Sequence, residues 1–165
     1  SANDLINYIM AENKAVKPKL SLSVQYADTR LQDQLTRPLI RKTVQAALLF
    51  PAEITLRIVD AEEGQQLNHE YRGKDYATNV LTFAYTEDEE AEVTQADIIL
   101  CTDVLLREAA EQNKTVVAHA QHLIVHGVLH AQGYDHLDDD EADEMEALEA
   151  EMLATLGVAN PYLEQ

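Results

Sequence analysis

The sequence predicts an α+β domain in which a small mixed sheet of about four strands packs with about five helices, an α/β arrangement being the alternative. Two observations support this class. Short segments in which apolar and polar residues alternate predict half-buried strands, and longer segments of helical periodicity lie between them. The 165 residues are enough for the core of one domain, and the apolar content of 46% fits a globular protein.

The first half of the chain contains five predicted elements. In order they are a short amphipathic helix in residues 1–16, a strand at 20–26, a helix at 37–50, a strand at 53–60 and a helix that ends at Gly73. Pro38 suits the first turn of its helix, because the N–H that it lacks has no partner there in any helix, and Pro51 stops that helix. Asp60 is a helix cap, with Glu63 at the capping-box position.

The second half contains two predicted strands and three predicted helices. The strands are 79–85 and 97–101, separated by an acidic loop, and the helices run from Thr102 to about residue 112, from about 115 to 132 and through the acidic segment that follows. The helix at 115–132 is expected to pack on the sheet. The last helix has one apolar face, formed by Met145, Leu148, Met152 and Leu156. Its acidic residues are predicted to form a solvated face.

Acidic and basic residues are unevenly distributed along the chain. The formal net charge of −18 argues against a polyanion as partner, and the segments 87–92 and 138–151 hold much of the acid. The basic residues concentrate elsewhere, at Arg37, Arg41, Lys42, Arg57, Arg72 and Lys74. An acidic protein with this distribution is able to carry a local basic groove, so nucleic acid is not excluded as a partner.

The cysteine content and the length of the apolar segments indicate the cellular compartment. Cys101 is the single cysteine, which excludes an internal disulfide, and it is interpreted as a small buried hydrophobe. No segment reaches the roughly 18 consecutive apolar residues of a transmembrane helix. No secretory signal is visible. We therefore expect a cytoplasmic protein that does not associate with a membrane.

Residues 126–136, H-G-V-L-H-A-Q-G-Y-D-H, predict a metal site. His126 and His130 are four residues apart, so they project from one face of a helix and are able to bind one ion. Gly133 is suited to end that helix in the left-handed conformation, after which the chain can bring His136 to the same ion. Three nitrogen ligands leave one position open for water, which is typical of a catalytic zinc site.

The spacing is that of the metzincin motif H-E-x-x-H-x-x-G-x-x-H, with one departure. Gly127 stands where that motif has the glutamate that serves peptidases as general base. The pattern therefore predicts a metal-dependent hydrolase and disfavours an ordinary peptidase. His122 lies on the same helical stripe and is interpreted as a packing residue, with a role as ligand or ligand partner left open. Asp135 is either an acceptor for a ligating imidazole or a turn-forming residue.

A second motif occupies residues 67–83, L-N-H-E-Y-R-G-K-D-Y-A-T-N-V-L-T-F. Arg72 lies in it at the end of a predicted helix. A guanidinium there suits a phosphate, to which it can form paired charge-assisted hydrogen bonds. If this segment stood alone, a surface arginine that caps helix carbonyls would be the favoured interpretation.

The second motif, A-D-I-I-L-C at 96–101 and the histidine motif together resemble the bacterial YbeY family over about residues 50–136. The resemblance implies a zincin-like α+β fold in one domain, 1–165, with residues 1–17 as an N-terminal extension. It implies one zinc ion, or another divalent transition metal, held by His126, His130 and His136. It also makes Arg72 a catalytic residue that binds RNA phosphate. Two departures from the family pattern, Asn79 and Ala96, do not involve the metal ligands.

The same resemblance implies a function. Members are single-strand-specific, metal-dependent endoribonucleases that act in small-subunit ribosomal RNA maturation and ribosome quality control. The expected partners are ribosomal RNA, the small ribosomal subunit and ribosome-associated proteins. Two alternatives stay open: a ribosome assembly factor with a structural metal and weak or indirect nuclease activity, and a zincin-like metallopeptidase. The nucleophile is also open, since either a metal-bound hydroxide or the ribose hydroxyl could attack.

Overall fold

A computed structural model describes residues 4, 17–85, 93–134 and 138–163 of the protein. These residues form four strands and five helices, which confirms the predicted α+β class. The elements are β1 Leu20–Tyr26, α1 Arg37–Ala47, β2 Ala52–Val59, α2 Ala61–Arg72, β3 Val80–Ala84, β4 Thr94–Cys101, α3 Thr102–Glu111, α4 Val116–Ala131 and α5 Asp139–Thr155. The predicted N-terminal helix, Asp135 and His136 lie outside the described residues. The zincin-like character of the fold stays a prediction.

The four strands form one mixed sheet in the order β1-β2-β4-β3. Strand β2 pairs in parallel with β1 and with β4, whereas β3 pairs with β4 in the antiparallel direction. Strand β4 begins at Thr94, three residues before the predicted start at 97, because its first residues pair with β2 from Ala52 onward. The short strand β3 therefore forms one edge of the sheet, next to β4.

The two faces of the sheet bury two separate apolar clusters. Side chains alternate along β4, so that Ile98 and Leu100 enter the larger cluster together with α1, α4 and α5. Ile99 and Cys101 enter the smaller cluster on the other face, which α2 and α3 cover. Helix α4 lies between the sheet and helices α1 and α5, and most of its residues are buried. The predicted packing of this helix on the sheet is confirmed, as is the burial of Cys101.

Hydrogen bonds and backbone conformation explain where α2 begins and ends and where α1 ends. The Asp60 side chain accepts a hydrogen bond from the Glu63 amide at 2.9 Å, which confirms Asp60 as the cap of α2. The Glu63 carboxylate binds Arg57 at 2.6 Å. Gly73 ends α2 with a φ of 68°, a conformation that costs glycine little. Helix α1 ends at Ala47 and not at residue 50, because the next residues leave the helix for contacts with Gln132.

Helix α5 differs from its prediction at one residue. Met145, Leu148 and Met152 are buried as expected, and Leu156 is partly buried at the helix end. Glu149 has an exposed fraction of 0%, so the acidic residues do not all lie on a solvated face. The prediction was wrong at Glu149 because periodicity identifies the buried face but not a buried charge that has partners elsewhere in the fold.

The close approach of α4 to the sheet gives a stability prediction. A Cβ added at Gly127 would lie 3.2 Å from Thr82 Oγ1 and 3.3 Å from Ile98 Cγ2. Both neighbours are branched side chains on paired strands, so they cannot withdraw easily. We expect Gly127→Ala to destabilise the protein by about 1–2 kcal/mol, although alanine favours a helix interior by about 1 kcal/mol.

Gly64→Ala is the matched control, measured by urea unfolding. Gly64 also lies inside a helix, but its added Cβ would meet Cys101 Sγ at 3.4 Å, which is ordinary contact. The control should be neutral or stabilise by up to about 1 kcal/mol. Equal effects of the two substitutions would contradict the close packing of α4 on β3 and β4.

A cluster around Arg30 gives a prediction about acid stability. Arg30 binds Asp28 and Asp103 at 2.7 and 2.8 Å. Its hydrogen bonds lower the pKa of both carboxyl groups below their ordinary value of 3.8. A carboxyl with a lowered pKa in the folded chain contributes stability above its unfolded pKa, and this contribution is lost as pH falls through the folded value.

We therefore expect the melting temperature of Arg30→Met to lie below that of wild type near neutral pH, with a difference that shrinks below about pH 4. Arg107→Met removes the same charge, and its only described partner is Glu111 at 3.9 Å, with both side chains exposed. The control should change melting little at any pH. A difference for Arg30→Met that does not depend on pH would refute the assignment.

Candidate functional site

Helix α4 places two of the predicted ligands side by side. The rings of His126 and His130 are almost parallel, with an interplanar angle of 5° and centroids 6.4 Å apart. They occupy successive turns of one helical face, as their spacing predicts. The structure thus brings these two residues together, while the third predicted ligand, His136, lies outside the described part of the chain.

Each of the two rings is held through its Nδ1 atom. His126 Nδ1 lies 2.5 Å from Glu149 Oε1, and His130 Nδ1 lies 2.9 Å from the carbonyl oxygen of Tyr134. Gly133, with a φ of 103°, turns the chain so that this carbonyl faces back toward the helix. An imidazole that donates from Nδ1 carries its lone pair on Nε2, which is the tautomer that a metal ligand needs.

The donor chemistry fits a transition metal. Two imidazoles on adjacent turns, each oriented by an outer acceptor, are typical of zinc and related sites. In residues 4, 17–85, 93–134 and 138–163 no group of three or more His, Cys, Asp or Glu side chains is arranged so that it could hold a metal ion. Completion of the site therefore requires His136 or another group beyond these ranges, and the metal itself stays a prediction.

Glu149 is the electrostatic centre of the site. Burial raises its pKa, but hydrogen bonds that involve His122, His126 and Tyr162 outweigh burial and lower the pKa to about 2. The carboxylate is therefore ionised at neutral pH although it is fully buried. A negative charge beside Nδ1 holds the proton of His126 on that atom and makes the ring a stronger ligand.

The other two histidines of α4 do not join the ligand pair. His122 Nε2 lies 3.0 Å from the Tyr162 hydroxyl and 3.5 Å from Glu149 Oε2, so His122 belongs to the surroundings of Glu149. His119 is buried, with its Nε2 3.0 Å from Glu108 Oε1. Burial lowers the pKa of His119, against the effect of Glu108. Packing was the favoured interpretation of His122, and its contacts with Glu149 and Tyr162 favour the alternative left open, a partner of a predicted ligand.

The structure also explains why glycine occupies position 127. A Cβ there would already touch Thr82 and Ile98 on the sheet. A glutamate at this position would begin in this tight contact between α4 and the sheet, so close packing disfavours it. The glycine in place of the peptidase base is thus consistent with how closely this helix packs.

Arg72 lies apart from the histidines. It is the last residue of α2, is exposed, and belongs to the helix that covers the opposite face of the sheet from α4. Across the described ranges, no hydrogen bond, ion pair or ring contact joins Arg72 to His126 or His130. Its role in catalysis stays a prediction.

Sequence reasoning missed two residues of the site, Glu149 and Tyr162. Glu149 had one signal: it follows Leu148 directly and lies four residues after Met145, within the apolar stripe of α5. An acid in that position is expected to be buried and paired. Tyr162 had no local signal, because it lies beyond the last predicted helix.

Fold and site together define a class, an α+β domain with an oriented imidazole pair on a buried helix. Comparison with known proteins identifies the family within this class. The sequence profile described as Endoribonuclease YbeY matches residues 21–157. A protein named Endoribonuclease YbeY from Herminiimonas arsenicoxydans is 73% identical over 88% of this chain and 97% of its own length. Its counterpart from Janthinobacterium sp. (strain Marseille) is 74% identical over 89% and 97%.

The chain therefore belongs to the Endoribonuclease YbeY family. Among solved structures, the solution structure of TM1509 from Thermotoga maritima matches 88% of this chain and 97% of its own, with a TM-score of 0.52 and 20% sequence identity. At that identity the match supports the fold alone. The resemblance inferred from the three sequence segments is confirmed.

The contact between Glu149 and His126 gives a prediction about metal binding. Replacement of Glu149 by glutamine keeps the size of the side chain but removes the charge that holds the proton on Nδ1. We expect Glu149→Gln to weaken zinc binding by about 10- to 100-fold, measured by competition with a chelating indicator. Glu151→Gln, at an exposed position of the same helix, is the control and should bind zinc as wild type does. Equal affinities in both variants would show that Glu149 does not orient a ligand.

Proposed function

We propose that this protein is a single-strand-specific, metal-dependent endoribonuclease that acts in the maturation of small-subunit ribosomal RNA and in ribosome quality control. The observation that carries the proposal is the pair His126 and His130, each oriented through Nδ1, in a chain that belongs to the Endoribonuclease YbeY family. The family name indicates RNA as the substrate class, and the histidine pair supports metal-dependent catalysis.

The proposed metal centre uses three histidines. His126 and His130 supply two nitrogen ligands from α4, and His136 is the third by its place in the motif. One zinc ion per chain is the proposed cofactor, and another divalent transition metal would accept the same ligands. A metal at such a site acidifies a bound water and polarises a phosphoryl oxygen.

The chain's own residues contribute orientation and charge. Glu149 and the Tyr134 carbonyl fix the two rings before any substrate arrives, so that little reorganisation accompanies the reaction. Arg72 is proposed to bind an RNA phosphate and offset the charge that develops on it. Gly127 supplies no general base, so the proposed attacking group is either a metal-bound hydroxide or the ribose hydroxyl.

The two alternatives to this function have less support. A metallopeptidase would need a general base near the metal, and glycine occupies the position of that base, in close contact with the sheet. An assembly factor with a structural metal would not account for a family whose members are named endoribonucleases. Neither alternative gains from any contact among the described residues.

The proposed partners follow from the substrate. Ribosomal RNA and the small ribosomal subunit are the expected targets, and ribosome-associated proteins are proposed to help recruit a chain with a net charge of −18. None of the helices in the described ranges is both long enough and apolar enough to span a membrane. A cytoplasmic location is proposed, in agreement with the site of ribosome assembly.

The decisive experiment separates metal binding from RNA binding. A single-stranded RNA and the same RNA annealed to its complement are incubated with wild type, His130→Ala and Arg72→Ala. We expect wild type to cleave only the single strand and to lose this activity when the metal is chelated. His130→Ala should lose both metal and cleavage, whereas Arg72→Ala should retain metal and cleave about 100-fold more slowly.

Arg107→Ala is the control for Arg72, since it removes another exposed arginine, whose described partner is the exposed Glu111 of the same helix. It should cleave at the wild-type rate. Cleavage that survives complete removal of metal would refute the proposed mechanism. Loss of metal in Arg72→Ala would refute the division of roles between the arginine and the histidines.

A further inference from the structure

The segment that follows α5 turns back toward the histidine helix. The chain reverses at Gly157, which has a φ of 75°, and the Val158 amide donates to the Leu153 carbonyl at 3.0 Å. Asn160 then fixes a second turn, because its side chain accepts a hydrogen bond from the Tyr162 amide at 2.9 Å. This segment lies beyond residues 21–157, the part of the chain that the family profile matches.

The Tyr162 hydroxyl ends beside the buried carboxylate of the site. It donates a hydrogen bond to Glu149 Oε2, while His126 uses the other oxygen, Oε1. His122 Nε2 lies 3.0 Å from the same hydroxyl, and its ring meets the tyrosine ring edge-on, with centroids 5.3 Å apart. The hydroxyl is therefore enclosed between a histidine and a carboxylate.

With the Glu149 carboxylate ionised, one arrangement of protons satisfies the three hydrogen bonds among these four groups. His122 donates from Nε2 to the Tyr162 oxygen, Tyr162 donates to Oε2 of Glu149, and His126 donates from Nδ1 to Oε1. Burial and the neighbouring carboxylate raise the pKa of Tyr162, so its hydroxyl keeps its proton at neutral pH. With both oxygens engaged, the carboxylate cannot rotate away from His126 without breaking the second bond.

We infer that Tyr162 is a positioning residue of the metal site: its hydroxyl locks Glu149, and Glu149 in turn orients His126. The tyrosine does not itself touch the metal or the substrate. This inference rests on the proposed function only in so far as it takes His126 to be a metal ligand.

Packing alone does not account for Tyr162. The residue keeps 38% of its surface exposed, so its ring adds little to the apolar core. Its polar end, in contrast, reaches a carboxylate that is fully buried. Removal of the hydroxyl alone should therefore disturb the site more than the stability of the fold.

The test uses Tyr162→Phe in the full-length protein, which removes only the hydroxyl. Zinc affinity is measured on metal-free protein by competition with a chelating indicator, and we expect about 10-fold weaker binding than in wild type. Long-range proton–nitrogen NMR of the metal-free protein reports the tautomer of His126. Wild type should show the Nδ1–H form, and Tyr162→Phe should show a mixture of both forms.

The control is Tyr76→Phe, which removes the hydroxyl of a tyrosine that is 58% exposed and remote from α4 in the contacts described. It should leave zinc affinity and the His126 tautomer unchanged. Wild-type zinc affinity together with an unchanged tautomer in Tyr162→Phe would overturn the inference.

The outcomes also separate this inference from the proposed function. If wild type cleaves no RNA but Tyr162→Phe binds zinc more weakly, the proposed activity fails and the positioning role stands. If wild type cleaves RNA and Tyr162→Phe matches it in affinity and tautomer, the positioning role fails and the activity stands. If wild type binds no zinc, the tautomer of His126 decides, because it is measured without metal.

Discussion

The arrangement of the site depends on one buried charge, the carboxylate of Glu149. An ionised group without solvent is costly unless polar groups surround it, and the three groups that lower the pKa of Glu149 come from two different parts of the chain. Two are histidines of α4 and one is the tyrosine that follows α5. The same carboxylate therefore links α5 to α4, to the last described residues and to the ring of His126.

Helix α4 combines two roles that usually belong to different elements. One side is a core surface that contacts the sheet closely, so that even a Cβ at position 127 would lie 3.2 Å from Thr82 and 3.3 Å from Ile98. The preceding residue, His126, faces Glu149 on another side of the helix. A side chain on a buried helix is more precisely placed than one on a loop, which would suit the predicted metal site. The close packing that disfavours a larger residue at position 127 thus also fixes the helix that carries the predicted ligands.

Much of this could be predicted from sequence because it is local. The caps of α2, the strand β1 and the shared face of His126 and His130 depend on residues within a few positions of one another. The end of α1 could not be predicted, since Ala47 gives its carbonyl to the side chain of Gln132, which is 85 positions away. The role of Glu149 depends on His126, 23 positions earlier, and on Tyr162, 13 positions later. The hydrophobic periodicity of one helix does not show which residues elsewhere in the chain its side chains contact.

The electrostatics of the site also limit the chemistry of the proposed reaction. Glu149 is the buried carboxylate next to the ligand pair, and in zincin peptidases a carboxylate near the metal removes the proton of the attacking water. A group with a pKa of about 2 is a poor proton acceptor at neutral pH, and both oxygens of Glu149 are already engaged. These contacts favour a role for Glu149 in orienting His126, a predicted ligand, over a role as the base. The proton of the nucleophile must leave by another route, which is consistent with attack by a group that is already ionised or by a hydroxyl of the RNA itself.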